Sequence, residues 1–290
     1  MQIGKKVIEV REHENVDVFC LGDVHEGHGN CNVEAIHSAV ELIEQNRKDN
    51  AHTYTILMGD LPECIIMSDP RFNPLEIADR YKVKDLSDLP KRQADTVVGY
   101  LDPIKDTITA ILEGNHCKQY VKRHNFDVYS YMWVQLGTPF KLGYNGRLRF
   151  TSEMGNSRFK IDFALNHGTG GGGFREGYPI NKVHDIFRWT VADFYVMGHV
   201  HSLNVDPQLF EAVNEKGDGI DLRQRWYGIS GCFLNGPVKG KEHYFEGRPG
   251  PLPDIGMLKC SFNFGRKRSE GGRRYLRKTK MEPIYLDREI

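Results

Sequence analysis

Five short apolar runs along the chain each stop at a small cluster of Gly, Asp, Asn and His. Val16 to Leu21 runs into Gly22-Asp23-Val24-His25, and Thr53 to Met58 into Gly59-Asp60. Thr107 to Leu112 runs up to Glu113-Gly114-Asn115-His116, Phe159 to Leu165 into Asn166-His167-Gly168, and Phe194 to Met197 into Gly198-His199-Val200-His201. Short runs rich in β-branched and aromatic side chains predict strands, the first two buried on both faces. Between those two, Val33, Ile36, Val40 and Ile43 recur at helical spacing, which predicts an amphipathic helix over Val33 to Gln45 with Glu34, Glu41 and Glu44 facing water. Strand, helix, strand in that order is a βαβ unit with a right-handed crossover. Polar groups at the carboxyl ends of its strands fall in the crevice where open α/β sheets bind ligands. All five loops are then expected on one rim.

The rest of the chain reads more coarsely. Pro62, Pro70, Pro74, Pro90 and Pro103 divide 61–106 into short pieces, with a helix expected from Leu89 or Pro90 to about Tyr100 and Asp88 as its cap. Residues 119–136 predict a further helix, 139–165 paired strands turning near Asn145-Gly146, and Asn181 to Trp189 another helix. Strands dominate after His201, among them Arg225 to Ile229 and Met257 to Phe264, and fit a second sheet. No internal repeat is visible.

The 290 residues carry 39 Lys plus Arg against 39 Asp plus Glu, a balance that argues against a uniformly basic nucleic-acid binder. With 39% hydrophobic residues the chain is too apolar to be disordered. No composition break forces a split, so one domain is expected over 1–290. Charges fill the first residues, and no apolar run approaches the ~18 needed to span a bilayer, so the expected location is the cytoplasm, away from membranes. Cys20, Cys31, Cys64, Cys117, Cys232 and Cys260 are scattered without a CxxC pair, which predicts reduced thiols and neither a disulfide framework nor a closed zinc site.

One histidine among 12 says little; the joint arrangement says more. Asp23-x-His25, Gly59-Asp60, Gly114-Asn115-His116, His167-Gly168 and Gly198-His199-x-His201 all close predicted strands. Oxygen and imidazole donors in this mixture suit manganese, iron, zinc or similar divalent ions. In this order the blocks resemble the calcineurin-like metallophosphoesterase superfamily, whose pattern is DxH, GDxx(D/E), GNH(D/E), H and GHxH, and they cover residues 23 to 201. The resemblance implies an α/β fold, a four-layer αββα sandwich of two mixed β-sheets flanked by helices. It implies two divalent ions, manganese foremost, with iron, zinc, nickel or cobalt as alternatives. One would be held by Asp23, His25, Asp60 and His201, the other by Asp60, Asn115, His167 and His199, with Asp60 shared. Two cations roughly 3.5–4 Å apart activate water and stabilise the attacking and leaving oxygens of a phosphoryl displacement. His116 is the expected catalytic residue, protonating the leaving group or stabilising the transition state, against the plainer reading of a helix-start residue.

One position departs from the pattern: Cys117 stands where the family has Asp or Glu, and a thiol is a weak partner for an imidazole. Beyond His167 runs Gly168-Thr169-Gly170-Gly171-Gly172-Gly173, in which Gly170, Gly171 and Gly172 are candidates to present backbone N–H groups to substrate, the alternative being an exposed linker. This HG-(S/T)-GGG stretch is similar to that of phage and prokaryotic members, as is Gly59-Asp60-Leu61-x-Glu63. Residues 259–280 hold nine Lys or Arg (Lys259, Arg266, Lys267, Arg268, Arg273, Arg274, Arg277, Lys278, Lys280) against Glu270 alone. With Phe262, Phe264 and Tyr275 nearby, this segment could track a phosphate backbone and stack bases, or simply be a solvated hairpin. The expected activity is a phosphodiesterase or nuclease acting on nucleotide or nucleic-acid substrates. A phosphomonoesterase is the alternative, and a non-catalytic nucleic-acid-binding module a further one. Protein phosphatase activity is disfavoured because the arginines of GDxxDRG and RGNHE are missing, and a lipid A precursor hydrolase because those enzymes have Arg where His116 stands. The sequence carries no signature of oligomeric state.

Overall fold

Charged and weakly alternating, Gln2–Val7 nevertheless forms a strand, β1, because it lies at a sheet edge where only Gly4 is buried. The computed structural model describes residues 2–154, 157–171, 175, 177–213, 217–236, 252–269 and 272–287; for 154, 157, 266–269 and 272–277 it describes the backbone alone. β2 (Val16–Leu21) is buried throughout, sending Val16, Val18 and Cys20 to one face and Phe19 and Leu21 to the other. α1 (Val33–Asp49) starts on Asn32, whose side chain accepts from the Ala35 N–H, and buries Ile36, Ala39, Val40 and Ile43. β3 (Thr53–Leu57) pairs parallel to β2, completing the expected βαβ unit.

α2 (Leu89–Leu101) leads to β4 (Ile108–Leu112), then α3 (Asn115–Val121), α4 (Val128–Leu136) and β5 (Phe140–Gly143). The chain then crosses to a second sheet through β6 (Asn145–Met154), β7 (Ser157–Asn166), α5 (Tyr178–Phe187), β8 (Phe194–Met197), β9 (Leu203–Val213) and β10 (Ile220–Ser230). β11 (Gly256–Ser269) and β12 (Gly272–Tyr285) return to the first. Two six-stranded mixed sheets result, ordered β1-β6-β7-β8-β10-β9 and β12-β11-β2-β3-β4-β5.

Burial assigns the layers. Val16, Val18, Cys20 and Ile56 from one sheet meet Phe150, Ile161, Phe163 and Phe194 from the other. Phe19, Leu21 and Ile111 pack on Ala39, Val97 and Met132 of α1, α2 and α4, while Ala164, Tyr195 and Met197 pack on Val183 and Phe187 of α5. The fold is an α/β sandwich of helices, sheet, sheet and helix. All six cysteines are buried and none forms a disulfide, and among the described residues no helix is long and apolar enough to cross a membrane.

Several expectations need correction. The helix foreseen over 119–136 is two: α3 begins at Asn115, and α4 begins afresh where Asp127 accepts from the Ser130 N–H. Asn145-Gly146 is no hairpin turn, because β5 belongs to one sheet and β6 to the other; β6 pairs antiparallel with β7 through residues 155–156, which lie outside the described residues. Asp88 precedes α2 without capping it and instead accepts from Arg92 Nε (2.7 Å). The strands after His201 do not form a sheet of their own; they extend both.

Candidate metal centre

Parallel strands put their carboxyl ends on one edge, and the five loops meet there: Asp23 and His25 follow β2, Asp60 follows β3, Asn115 and His116 open α3 after β4, His167 follows β7, and His199 and His201 follow β8. The backbone is bent to do it. Of the seven described non-glycine residues with positive φ, five are Asp23 (50°), His25 (52°), Asp60 (45°), His199 (70°) and His201 (54°). Such conformations cost energy for residues with a Cβ and cluster where geometry is imposed for function. The loops also approach closely, since a Cβ on Gly114 would sit 2.0 Å from Asp60 Oδ1 and one on Gly198 2.6 Å from Asp23 Oδ2.

Among the described residues the side chains fall into three groups whose donor atoms lie within 4.8 Å of one another: Asp23, His25 and His201; Asp60, His167 and His199; and His25, Glu63 and His116. The first two are the candidate ion positions, because in the third the Nδ1 atoms of His25 and His116 are both held by Glu63. In the first, His25 Nδ1 lies 2.7 Å from Glu63 Oε2 and donates to it, which turns the Nε2 lone pair toward His201 Nε2, 3.1 Å away. Asp23 Oδ2 accepts from the His199 N–H (2.9 Å), whereas the buried Oδ1 has no hydrogen-bond partner among the described residues and points between His201 Nε2 (3.6 Å) and His25 Nε2 (3.9 Å). In the second, His167 Nδ1 donates to the Met58 carbonyl (2.9 Å), and its Nε2 faces Asp60 Oδ2 and Asn115 Oδ1, each at 3.0 Å. Buried carboxylate, carboxamide and imidazole groups converge here at hydrogen-bond distances, and Asp23 Oδ1 is left without a hydrogen-bond partner among the described residues; such a cluster is a candidate cation site, and oxygen and imidazole donors suit a divalent transition metal. The residues present therefore fit two ions, one in each of the first two groups, with Asn115 joining the second and Asp60 lying between His167 and His116.

Electrostatics follow from this crowding. Burial disfavours the imidazolium of His167, but the Asp60 carboxylate outweighs it and lifts the imidazole to about 9. Burial, then His167, pushes His199 down to about 4, and burial with His116 and His201 holds His25 well below its ordinary value. Asp60 stays ionised despite burial, because His167 and His116 hold its carboxyl well below the carboxylate range.

His116 is buried at the same edge. Its N–H donates to Asp60 Oδ1 (3.0 Å), its Nδ1 donates to the Glu63 carbonyl (2.7 Å), and its Nε2 lies 3.2 Å from Arg71 Nη1 and 3.9 Å from Asp60 Oδ2. Cys117 takes no part; its Sγ packs on Cys64 Sγ at 3.9 Å. Glu63 fills the gap instead, with Oε2 at 2.7 Å from His25 Nδ1 and 3.5 Å from His116 Nδ1. Sequence reasoning noted Glu63 only as part of a block and missed Arg71 altogether. For Glu63 the signal was its position three residues after Asp60; for Arg71 there was none.

Gly170 and Gly171 are exposed beside His167, and Gly172 lies outside the described residues. The carbonyls of Thr169 and Gly171 accept from Lys182 Nζ, and that of Gly168 from the Tyr144 hydroxyl, so the loop is tied back to α5 and to β5's exit. In the basic segment, β11 and β12 pair as a hairpin, with Glu270 and Gly271 outside the described residues. Phe262 and Phe264 are buried between the sheets and cannot stack bases. Lys259 binds Asp17 and Asn46, Lys280 pairs with Glu282, and Lys278 is exposed. The side chains of Arg266, Lys267, Arg268, Arg273, Arg274, Tyr275 and Arg277 lie outside the described residues.

No family model matches the chain. No curated protein matches it either. Among solved structures it is similar to "GAP50 the anchor in the inner membrane complex of Plasmodium", at 10% identity and a TM-score of 0.43, over 95% of this chain and 90% of that one.

Proposed function

We propose that this chain is a divalent-metal-dependent phosphoesterase that hydrolyses phosphodiesters of nucleotides or nucleic acid. The observation that carries the reading is the pair of buried donor groups, Asp23/His25/His201 and Asp60/His167/His199, side by side on one rim with His116 at their edge. Asp23, His25, Asp60 and His201 would hold one ion and Asp60, Asn115, His167 and His199 the other, manganese being the first candidate. Two such ions supply Lewis-acid polarisation of the phosphoryl oxygens and a lowered pKa for water.

The chain's own residues do the rest. Glu63 fixes the His25 ring and, through its carbonyl, the His116 ring. With Nδ1 donating to the Glu63 carbonyl, His116 turns Nε2, which accepts from Arg71 Nη1 in the structure, toward the reacting ester; when a second proton, taken from solvent, makes it an imidazolium, Nε2–H hands that proton to the departing oxygen and the ring returns to its neutral form. Asp23, tied to the His199 N–H, keeps the loops after β2 and β8 in register. The Asp23 to Gly27 form of the first block and the absence of arginines beside the second and third support diesters over monoesters. Six cysteines without a disulfide fit a reducing compartment, and the cytoplasm is the compartment we assign.

Hydrolysis of bis(p-nitrophenyl) phosphate and of the corresponding monoester with added Mn²⁺, with Asp60→Asn as control, tests the reading. Diester turnover well above monoester turnover and abolished by the substitution supports it. Dominant monoester turnover would replace it with a phosphatase, and metal-loaded protein that cleaves neither would favour a binding module.

A further inference from the structure

The segment between β3 and α2 delivers a cation to the centre. Ser68 Oγ and His124 Nε2 are 2.9 Å apart, and Arg123 Nη1 donates to the Ser68 carbonyl (3.3 Å), so the residues just after α3 hold the 68–71 turn in place. Within that turn Asp69 accepts three times from Arg71: Oδ1 from the backbone N–H (2.9 Å) and Nε (3.0 Å), and Oδ2 from Nη2 (2.9 Å). Arg123 Nη1 lies a further 3.4 Å from Asp69 Oδ2. The Arg71 guanidinium holds the Asp69 carboxyl down to about 2, and Asp69 sits beneath the pair at 9% exposure while Arg71 is 42% exposed. The Nε and Nη2 side of the guanidinium is thus committed to Asp69, and the Nη1 edge faces His116 Nε2 at 3.2 Å.

We propose that Arg71 is a substrate-binding residue: its Nη1 edge takes a non-bridging oxygen of the substrate's phosphate while the ester's leaving oxygen reaches His116 Nε2. The inference rests on the phosphoesterase reading above and deepens it. Two guanidiniums over one carboxylate leave a local excess of positive charge at the mouth, which attracts an anion. A guanidinium that presents its fork grips two oxygens at once and suits the doubly charged end of a monoester. Here the fork is spent on Asp69, and the single edge that faces the centre matches the single charge of a diester. Arg71 reaches the site from the irregular segment eight residues beyond Glu63, outside the blocks themselves, so no motif beside Asp60 or Asn115 announces it.

The test compares wild type with Arg71→Gln and Arg71→Lys in the metal-loaded full chain. Two quantities are read: the dissociation constant of inorganic phosphate by calorimetry, and KM and kcat for bis(p-nitrophenyl) phosphate. Arg71→Gln is expected to weaken phosphate binding about tenfold or more and to raise KM by a similar factor, with bound metal and melting temperature unchanged. Arg71→Lys is expected to restore part of the affinity. Unchanged phosphate affinity in both variants overturns the proposal, and if the wild type turns over, the hydrolase reading survives that result. A fall in kcat alone, with phosphate affinity intact, also overturns it and makes Arg71 a positioning residue for His116. If the wild type binds phosphate without cleaving ester, the hydrolase reading falls while the phosphate comparison still decides for or against Arg71.

Discussion

At the residue scale, the decisive contacts are made by side chains whose protons are already placed. His25 and His167 each spend Nδ1 on a fixed acceptor, Glu63 Oε2 and the Met58 carbonyl, and so aim Nε2 inward. Partners of this kind tune metal affinity by about 10–100-fold, so Glu63→Gln should weaken Mn²⁺ binding by that order in a metal titration. The Asp60 carboxylate lifts His167, against its burial, to about 9 without metal, so at neutral pH that imidazole is protonated and an ion must displace the proton. Mn²⁺ affinity at this position should therefore rise by about tenfold per pH unit up to about 9 and level off beyond, as measured by titration at several pH values. Cys117 shows where a motif misleads: the carboxylate expected beside His116 is supplied by Glu63 from another loop. Cys117→Asp would place a charge in a buried apolar contact with Cys64 and should cost about 2–4 kcal/mol by denaturant unfolding.

At the element scale, a polar seam ties the amino-terminal end of β2, opposite the rim, to β11 and to the end of α1. Asp17 Oδ1 accepts from Ser261 Oγ (2.6 Å), and Oδ2 accepts from Asn46 and Asn50 Nδ2 (both 3.1 Å), with Lys259 Nζ at 3.2 Å. Burial raises this carboxyl, but these partners outweigh it and leave it below its ordinary 3.8. A carboxyl depressed on folding stabilises above its unfolded pKa and loses that contribution as pH falls through the folded one. Asp17→Asn should therefore cost about 1–3 kcal/mol at neutral pH, and the gap to wild type should close below pH 4, as followed by denaturant melts across pH. The strands and α1 were legible because uniformly apolar runs ending in polar clusters have few other uses. The division of α3 from α4 was not, since both halves carry aromatic and apolar residues and the break is made by Asp127 capping afresh. Nor was the crossing at Tyr144, because β5 and β6 are adjacent in sequence and the choice of sheet is made by β4 and β7, which are distant.

At the scale of the whole molecule, two sheets bury a shared aromatic layer and so bring loops from opposite halves of the chain to one edge. The candidate donor residues were legible because each closes a strand; their division between two ions comes from the resemblance, and the distances bring Asp23, His25 and His201 together and Asp60, His167 and His199 together, with Asp60 grouped only with the second. Arg71 was not legible, as it arrives through Asp69, Ser68 and the turn after α3 rather than through a strand end. Each ion bound to the folded chain alone adds stability by mass action, about 2.7 kcal/mol at a hundredfold excess over its dissociation constant. Chelation of two ions should therefore lower the melting temperature by about 10 °C. The central claim, that the strand ends build one centre for two ions, is met most directly by counting bound Mn²⁺ after equilibrium dialysis of the metal-stripped chain. Two ions per chain, with loss of at least one in Asp60→Asn, is the result expected from the two donor groups. One ion or none in the wild type, or two retained in Asp60→Asn, would contradict it.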